Sequence, residues 1–106
     1  MTLKELKKVL DGSGVQFKYD HWDERQAPAL PYGIYYADGT STICADGGVA
    51  LIFTNIAVEL WTKTKDQSAE SKLESALNAA DIVYSKGDTS HDNSEDAYVT
   101  TYEFQI

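Results

Sequence analysis

Leu51-Ile52-Phe53-Thr54-Asn55-Ile56-Ala57-Val58-Glu59-Leu60-Trp61 is the longest apolar, β-rich run in the chain. From Asn55 onward it alternates. Ile56, Val58 and Leu60 point one way; Ala57, Glu59 and Trp61 point the other. Side chains of a strand alternate faces with period two, so the run reads as a central strand with one buried face. The next four residues, Thr62 to Lys65, are polar. Asp66 then opens a helical pattern that runs to about Ala80. Ala69, Leu73, Ala76, Leu77 and Ala80 share one face of it. A long strand followed by an amphipathic helix is therefore the centre on which the other segments pack.

Before this centre, residues 2–10 read as a short helix. Thr2 and Glu5 have capping-box spacing, Leu3, Leu6 and Leu10 form one face, and Lys4, Lys7 and Lys8 face solvent. Asp11-Gly12-Ser13-Gly14 ends it with turn chemistry. Val15 to Tyr19 alternates as a strand does. Residues 20–31 carry Pro28 and Pro31, which disfavour a ladder, and read as a surface loop. Tyr32 to Tyr36 is a strand, and Asp38-Gly39 a turn. Ser41 to Ala45 is a short strand carrying Cys44, and Asp46-Gly47-Gly48 is a second turn. Residues 32–63 thus predict an antiparallel meander of two or three strands.

After the second helix, Ile82 to Ser85 reads as a strand. Lys86 to Asp96 holds no apolar side chain and reads as a solvated loop. Tyr98 to Ile106 alternates as the last strand. Strands interrupted by two helices predict a single α+β domain over residues 1–106: one antiparallel or mixed sheet with two helices packed on one face.

The charge balance is acidic, 9 Lys plus Arg against 17 Asp plus Glu, net −8. General nucleic-acid binding neutralises phosphates with Lys and Arg, so this chain is a poor candidate for it. No apolar run reaches membrane-spanning length, and the first residues lack the apolar core of a signal peptide. Cys44 is the only cysteine. It permits no internal disulfide, suits a reducing compartment, and reads as a small half-buried side chain rather than a nucleophile.

No catalytic constellation emerges. His21 lies near Asp23 and His91 beside Asp92, both in loops that fix no geometry. Asp88, Asp92, Glu95 and Asp96 lack the frame of a calcium loop and read as a solvated acidic loop. Gly12, Gly14, Gly47 and Gly48 are turn glycines without phosphate-loop spacing. A protein that is not an enzyme, with neither cofactor nor metal, is the expectation. The candidate contact residues are Trp61 on the face opposite the core, Val99 and Thr101 on the same face, and Trp22 in the proline-flanked loop. Each reads equally as simple packing or as a subunit-interface anchor.

Three quarters of the chain carries a looser pattern. It runs from Pro31-Tyr32-Gly33-Ile34-Tyr35-Tyr36 through the Asp38-Gly39 turn to Ile56-x-Val58-Glu59-Leu60-Trp61-Thr62-x-x-Lys65-Asp66. It continues through the Glu70 to Leu77 helix to Tyr98-x-x-x-Tyr102-Glu103-Phe104. This pattern resembles the tail terminator, or tail-to-head joining, proteins of long-tailed phages and prophages of Gram-positive bacteria. The resemblance implies an α+β subunit of a hexameric ring in the virion, assembled in the bacterial cytoplasm. The ring caps the completed tube of the major tail protein, meets the head-completion protein, and lets DNA pass. The isolated chain is either that ring or a monomer awaiting its template. The acidic loop of Asp88, Asp92, Glu95 and Asp96 is then a candidate for the lumen wall, which repels phosphate. Two rivals stand beside this reading. One is a head-completion or stopper protein on the other side of the same joint. The other is a small acidic, inhibitor-like protein that binds a basic partner.

Overall fold

A computed structural model describes the backbone of residues 1–106 and every side chain except that of Val49. The element order is α1 (Leu3–Asp11), β1 (Gln16–Tyr19), β2 (Tyr32–Ala45), β3 (Gly48–Thr62), α2 (Gln67–Ala79), β4 (Ser85–Lys86), β5 (Ser90–Asp92) and β6 (Ala97–Gln105). The six strands form one mixed sheet in the order β1-β2-β3-β6-β4, with β5 also on β6. The β1–β2 pair is parallel and the other pairs are antiparallel. This is the α+β architecture expected, with both helices contributing to one core on one sheet face.

The alternation in β3 sets that face. Val58 pairs with Tyr35 on β2 and Tyr102 on β6, and Leu60 with Gly33 and Thr100. Residues directly opposite share a side of the sheet. Leu6 and Leu10 of α1 and Leu73 and Leu77 of α2 close over this face, and all four are fully buried. Both helix starts follow from their caps. The Thr2 hydroxyl accepts from Glu5 N while the Glu5 carboxylate accepts from Thr2 N, and the Asp66 carboxylate accepts from Ala69 N.

Several boundaries differ from the expectation. Asp38-Gly39 is not a turn. Ala37 pairs with Ile56 and Thr40 with Thr54, so two residues of β2 oppose Asn55 alone. That is a bulge, made possible by the positive φ of Gly39 (79°). β2 therefore runs on as one strand, and the chain reverses only at Asp46-Gly47, both with positive φ. Ile82 to Tyr84 is irregular, and only Ser85–Lys86 pairs with β6. The polar stretch after it is not all loop, since Ser90–Asp92 adds a short strand. Cys44 is exposed, not half-buried.

The largest departure concerns the first half of the central run. The β3–β6 ladder ends where Thr54 and Ile106 exchange two 2.9 Å backbone hydrogen bonds. Before Thr54, β3 has only β2 beside it, so the pair leaves the sheet as a two-stranded ribbon about 20 Å long. The molecule is accordingly elongated, 49 × 27 × 25 Å. Ile43 and Leu51 oppose each other on one face of the ribbon, and Ile52 lies on the other. They are 52%, 53% and 66% exposed.

At the β4 edge an ionic cluster built around one buried carboxylate ties α2 to the sheet. Glu70 is 3% exposed, and its Oε1 accepts from Lys65 Nζ at 2.9 Å and Lys86 Nζ at 2.8 Å. Glu74 Oε2 accepts from Lys86 Nζ and from the Tyr102 hydroxyl, both at 2.8 Å. Burial opposes ionisation of Glu70 and Glu74, but the lysines outweigh it, with the Tyr102 hydroxyl adding its hydrogen bond at Glu74. Both carboxyls therefore titrate below the usual 4.5. Burial and the Glu74 hydrogen bond push the Tyr102 phenol far up.

Two predictions follow from this packing. A Cβ on Gly33 would collide with the Phe17 ring and lie 2.8 Å from Glu59 O. Gly33→Ala should therefore lower the unfolding free energy by about 1–3 kcal/mol in urea titrations. The depressed Glu70 pKa adds stability above the unfolded value near 4.5, and that stability is lost as pH falls through the lower folded value. Glu70→Gln should cost about 1–3 kcal/mol at pH 7 and flatten the decline of stability as pH falls below about 4.5.

Candidate functional site

The helices leave the other sheet face open. On it the register builds rows across three strands: Tyr32, Trp61 and Val99; then Ile34, Glu59 and Thr101; then Tyr36, Ala57 and Glu103. Trp61, Val99 and Thr101 thus share the open face, as the alternation predicts, and each is half-buried. Glu59 organises the middle of this surface. Its Oε1 accepts from Trp61 Nε1 at 3.1 Å, and its Oε2 accepts from the Tyr36 hydroxyl at 3.2 Å.

Trp22 reaches the same face from the loop before β2. Its Nε1 donates to Gly33 O at 3.1 Å, and its ring meets Tyr32 edge-on at 6.0 Å between centroids. Lys18 Nζ stands 5.8 Å from the Trp22 ring centre while holding Asp23 Oδ2 at 3.2 Å. Trp22, Tyr32, Ile34 and Trp61 line a cleft of about 450 Å³. The same cleft is lined by Asp20, His21, Asp23, Glu24 and Arg25 from the loop, and by Asp92, Ser94 and Glu95.

The sequence offered the tryptophans and the acidic loop as two separate features, and folding joins half of the second to the first. Asp92 Oδ1 accepts from Ser94 Oγ at 2.6 Å, Ser94 N at 2.9 Å and Glu95 N at 3.1 Å. This closes the turn after β5 and places Asp92 and Glu95 in the cleft. The same hydrogen bonds, led by that of the Ser94 hydroxyl, hold the Asp92 carboxyl below its usual range. Asp88 and Asp96 are exposed and outside the cleft, so the four carboxylates divide between two places on the surface. Asp96 instead lies 3.2 Å from His91 Nε2. Burial, then the charges of Glu95 and Asp92, raise the Tyr32 phenol.

The histidines have local partners. His21 contacts Asp20 Oδ2 at 2.9 Å and Asp23 Oδ1 at 3.3 Å, and the Asp20 hydrogen bond leads the causes that raise its pKa above 6.5. His91 Nδ1 lies 2.9 Å from Asn93 Oδ1. Among the described residues no group of three His, Cys, Asp or Glu side chains is placed to hold a metal ion. No helix is long and apolar enough to cross a membrane. Alternation already placed Glu59 on this face beside Trp61, but Tyr32, Ile34 and Tyr36 were not foreseen as members of the surface. Their signal was present, because Tyr32, Ile34 and Tyr36 sit two apart in one strand.

Compared with known proteins, the chain matches no family model and no curated protein.

Glu59→Ala removes the shared acceptor of Trp61 and Tyr36. The expected outcome is a more accessible Trp61, measured by acrylamide quenching, with an unfolding free energy changed by only about 1 kcal/mol because water replaces the lost bonds on this open face.

Proposed function

We propose that this chain is a structural subunit of a long-tailed phage virion. It closes as a hexameric ring on the finished tail tube, stops tube growth and joins the tail to the head-completion protein, with DNA passing through the ring. The observation that carries this reading is the β2–β3 ribbon. A two-stranded ribbon without further support is marginal in water. This one exposes Ile43 and Leu51 on one face and Ile52 on the other. Apolar side chains on both faces suit a ribbon sandwiched between neighbouring molecules. An arm that leaves one molecule to enter the next is a heterologous contact, which generates a ring when its rotation closes.

The charge is compatible with a DNA channel. Six copies at −8 each carry a formal charge of −48. Carboxylates on a lumen wall repel phosphate and let DNA slide. Asp88 and Asp96, exposed and outside the cleft, are the loop carboxylates left for such a wall.

The test is to add purified protein to tubes assembled from the phage's major tail protein and image their ends by electron microscopy. Density on one end with extension blocked is expected. The double variant Leu51→Asp, Ile52→Asp should fold normally, since both side chains are exposed, yet cap tubes at least ~10-fold less well. Capping by this variant at the wild-type level would contradict the reading. Bare, growing ends together with binding to the portal side would replace it with the stopper assignment.

A further inference from the structure

Resting on that ring reading, we propose that the cleft on the open sheet face receives α1 of a second copy. Lys4 and Lys8 of that helix meet the carboxylates around Glu24 and Glu95, and their apolar stems lie along the Trp22 and Trp61 walls.

The cleft's chemistry selects the occupant. Five carboxylates line it (Asp20, Asp23, Glu24, Asp92 and Glu95), against the guanidinium of Arg25 and the imidazole of His21, which contacts Asp20 and Asp23; Glu24 and Glu95 have no ion pair among the described residues. Its other walls are aromatic. An ammonium on a long apolar stem satisfies both features, the charge beside the carboxylates and the stem along the ring faces. The molecule already makes one such contact at its rim, where Lys18 lies over Trp22 and pairs with Asp23.

The chain also carries the matching surface. Lys7, Lys18, Lys65 and Lys86 each have an aspartate or glutamate within 4 Å. Lys4, Lys8, Lys63 and Lys72 have none among the described residues, and all four are exposed; of these only Lys4 and Lys8 share one helix. Lys4 and Lys8 stand one helical turn apart on the side of α1 away from the buried Leu6 and Leu10. This patch lies outside the helix layer, whereas the cleft is on the uncovered face. The two cannot meet within one molecule. A contact between them joins different surfaces of two copies, the head-to-tail relation that a ring requires.

The experiment is sedimentation velocity from about 10 μM to about 1 mM at low and high salt, where a contact of exposed charges weakens with salt. Two charge-reversed variants are compared: Lys4→Glu, Lys8→Glu and Glu24→Lys, Glu95→Lys. None of these four side chains is buried, and thermal unfolding checks that each variant folds. Wild-type protein should associate, and each variant alone should do so at least ~10-fold more weakly. An equimolar mixture should recover association, because the reversed helix fits the reversed cleft and the native helix fits the native cleft. A wild-type monomer across the whole range would overturn the proposal. So would a mixture no better than its components, or loss of association on reversing the cleft but not the helix. Full tube capping by both variants would also overturn it while leaving the ring reading intact. Recovery in the mixture with no capping by wild type would do the reverse.

Discussion

The pleat of β3 between β2 and β6 governs this structure. From Ile56 to Thr62 the even-numbered side chains are buried under two helices, and the odd-numbered ones from Asn55 to Trp61 lie on the outer face, where Ala57 is buried and the rest are half-buried. A one-residue slip would put Glu59 and Trp61 into the core and Val58 and Leu60 into solvent, so the register is strongly specified. Everything else attaches to that division. Leu6, Leu10, Leu73 and Leu77 cover the inner face, and the Glu70–Lys86–Glu74–Tyr102 cluster ties α2 to the far edge of the sheet. Trp22 folds onto the outer face and anchors on the Gly33 carbonyl.

The same division shows why some of the molecule could be read from its sequence. The capping box at Thr2, the helix from Asp66, the alternation of residues 55–61 and the Asp46-Gly47 reversal are local signals, and each appears where the residues place it. What failed was the distinction between an apolar strand and a buried one. Leu51 and Ile52 have the composition of a core strand, but β6 ends opposite Thr54, and nothing in residues 51–54 reports the length of a partner fifty residues away. Asp38-Gly39 failed similarly. The same dipeptide serves a hairpin turn and a bulge, and the strand it meets decides which.

For the candidate site, alternation placed Trp61, Val99 and Thr101 correctly on one face. The convergence with Trp22 and with Asp92 and Glu95 depends on two loops whose paths are set by long-range contacts: Trp22 on Gly33, and β5 on β6. Asp88 and Asp96 look equivalent to Asp92 in sequence. Only Asp92 is fixed by three hydrogen bonds from its own turn, and only it and Glu95 reach the cleft.

In the proposed ring, the ribbon left unfinished in the isolated chain is completed by assembly. Hydrogen exchange of the backbone amides, followed with and without tail tubes, reads this directly. The amides of residues 40–53 should exchange faster than those of residues 55–62 in the free protein, and should become protected when tubes are added. A ribbon that is already protected in the free protein and unchanged by tubes would contradict the account.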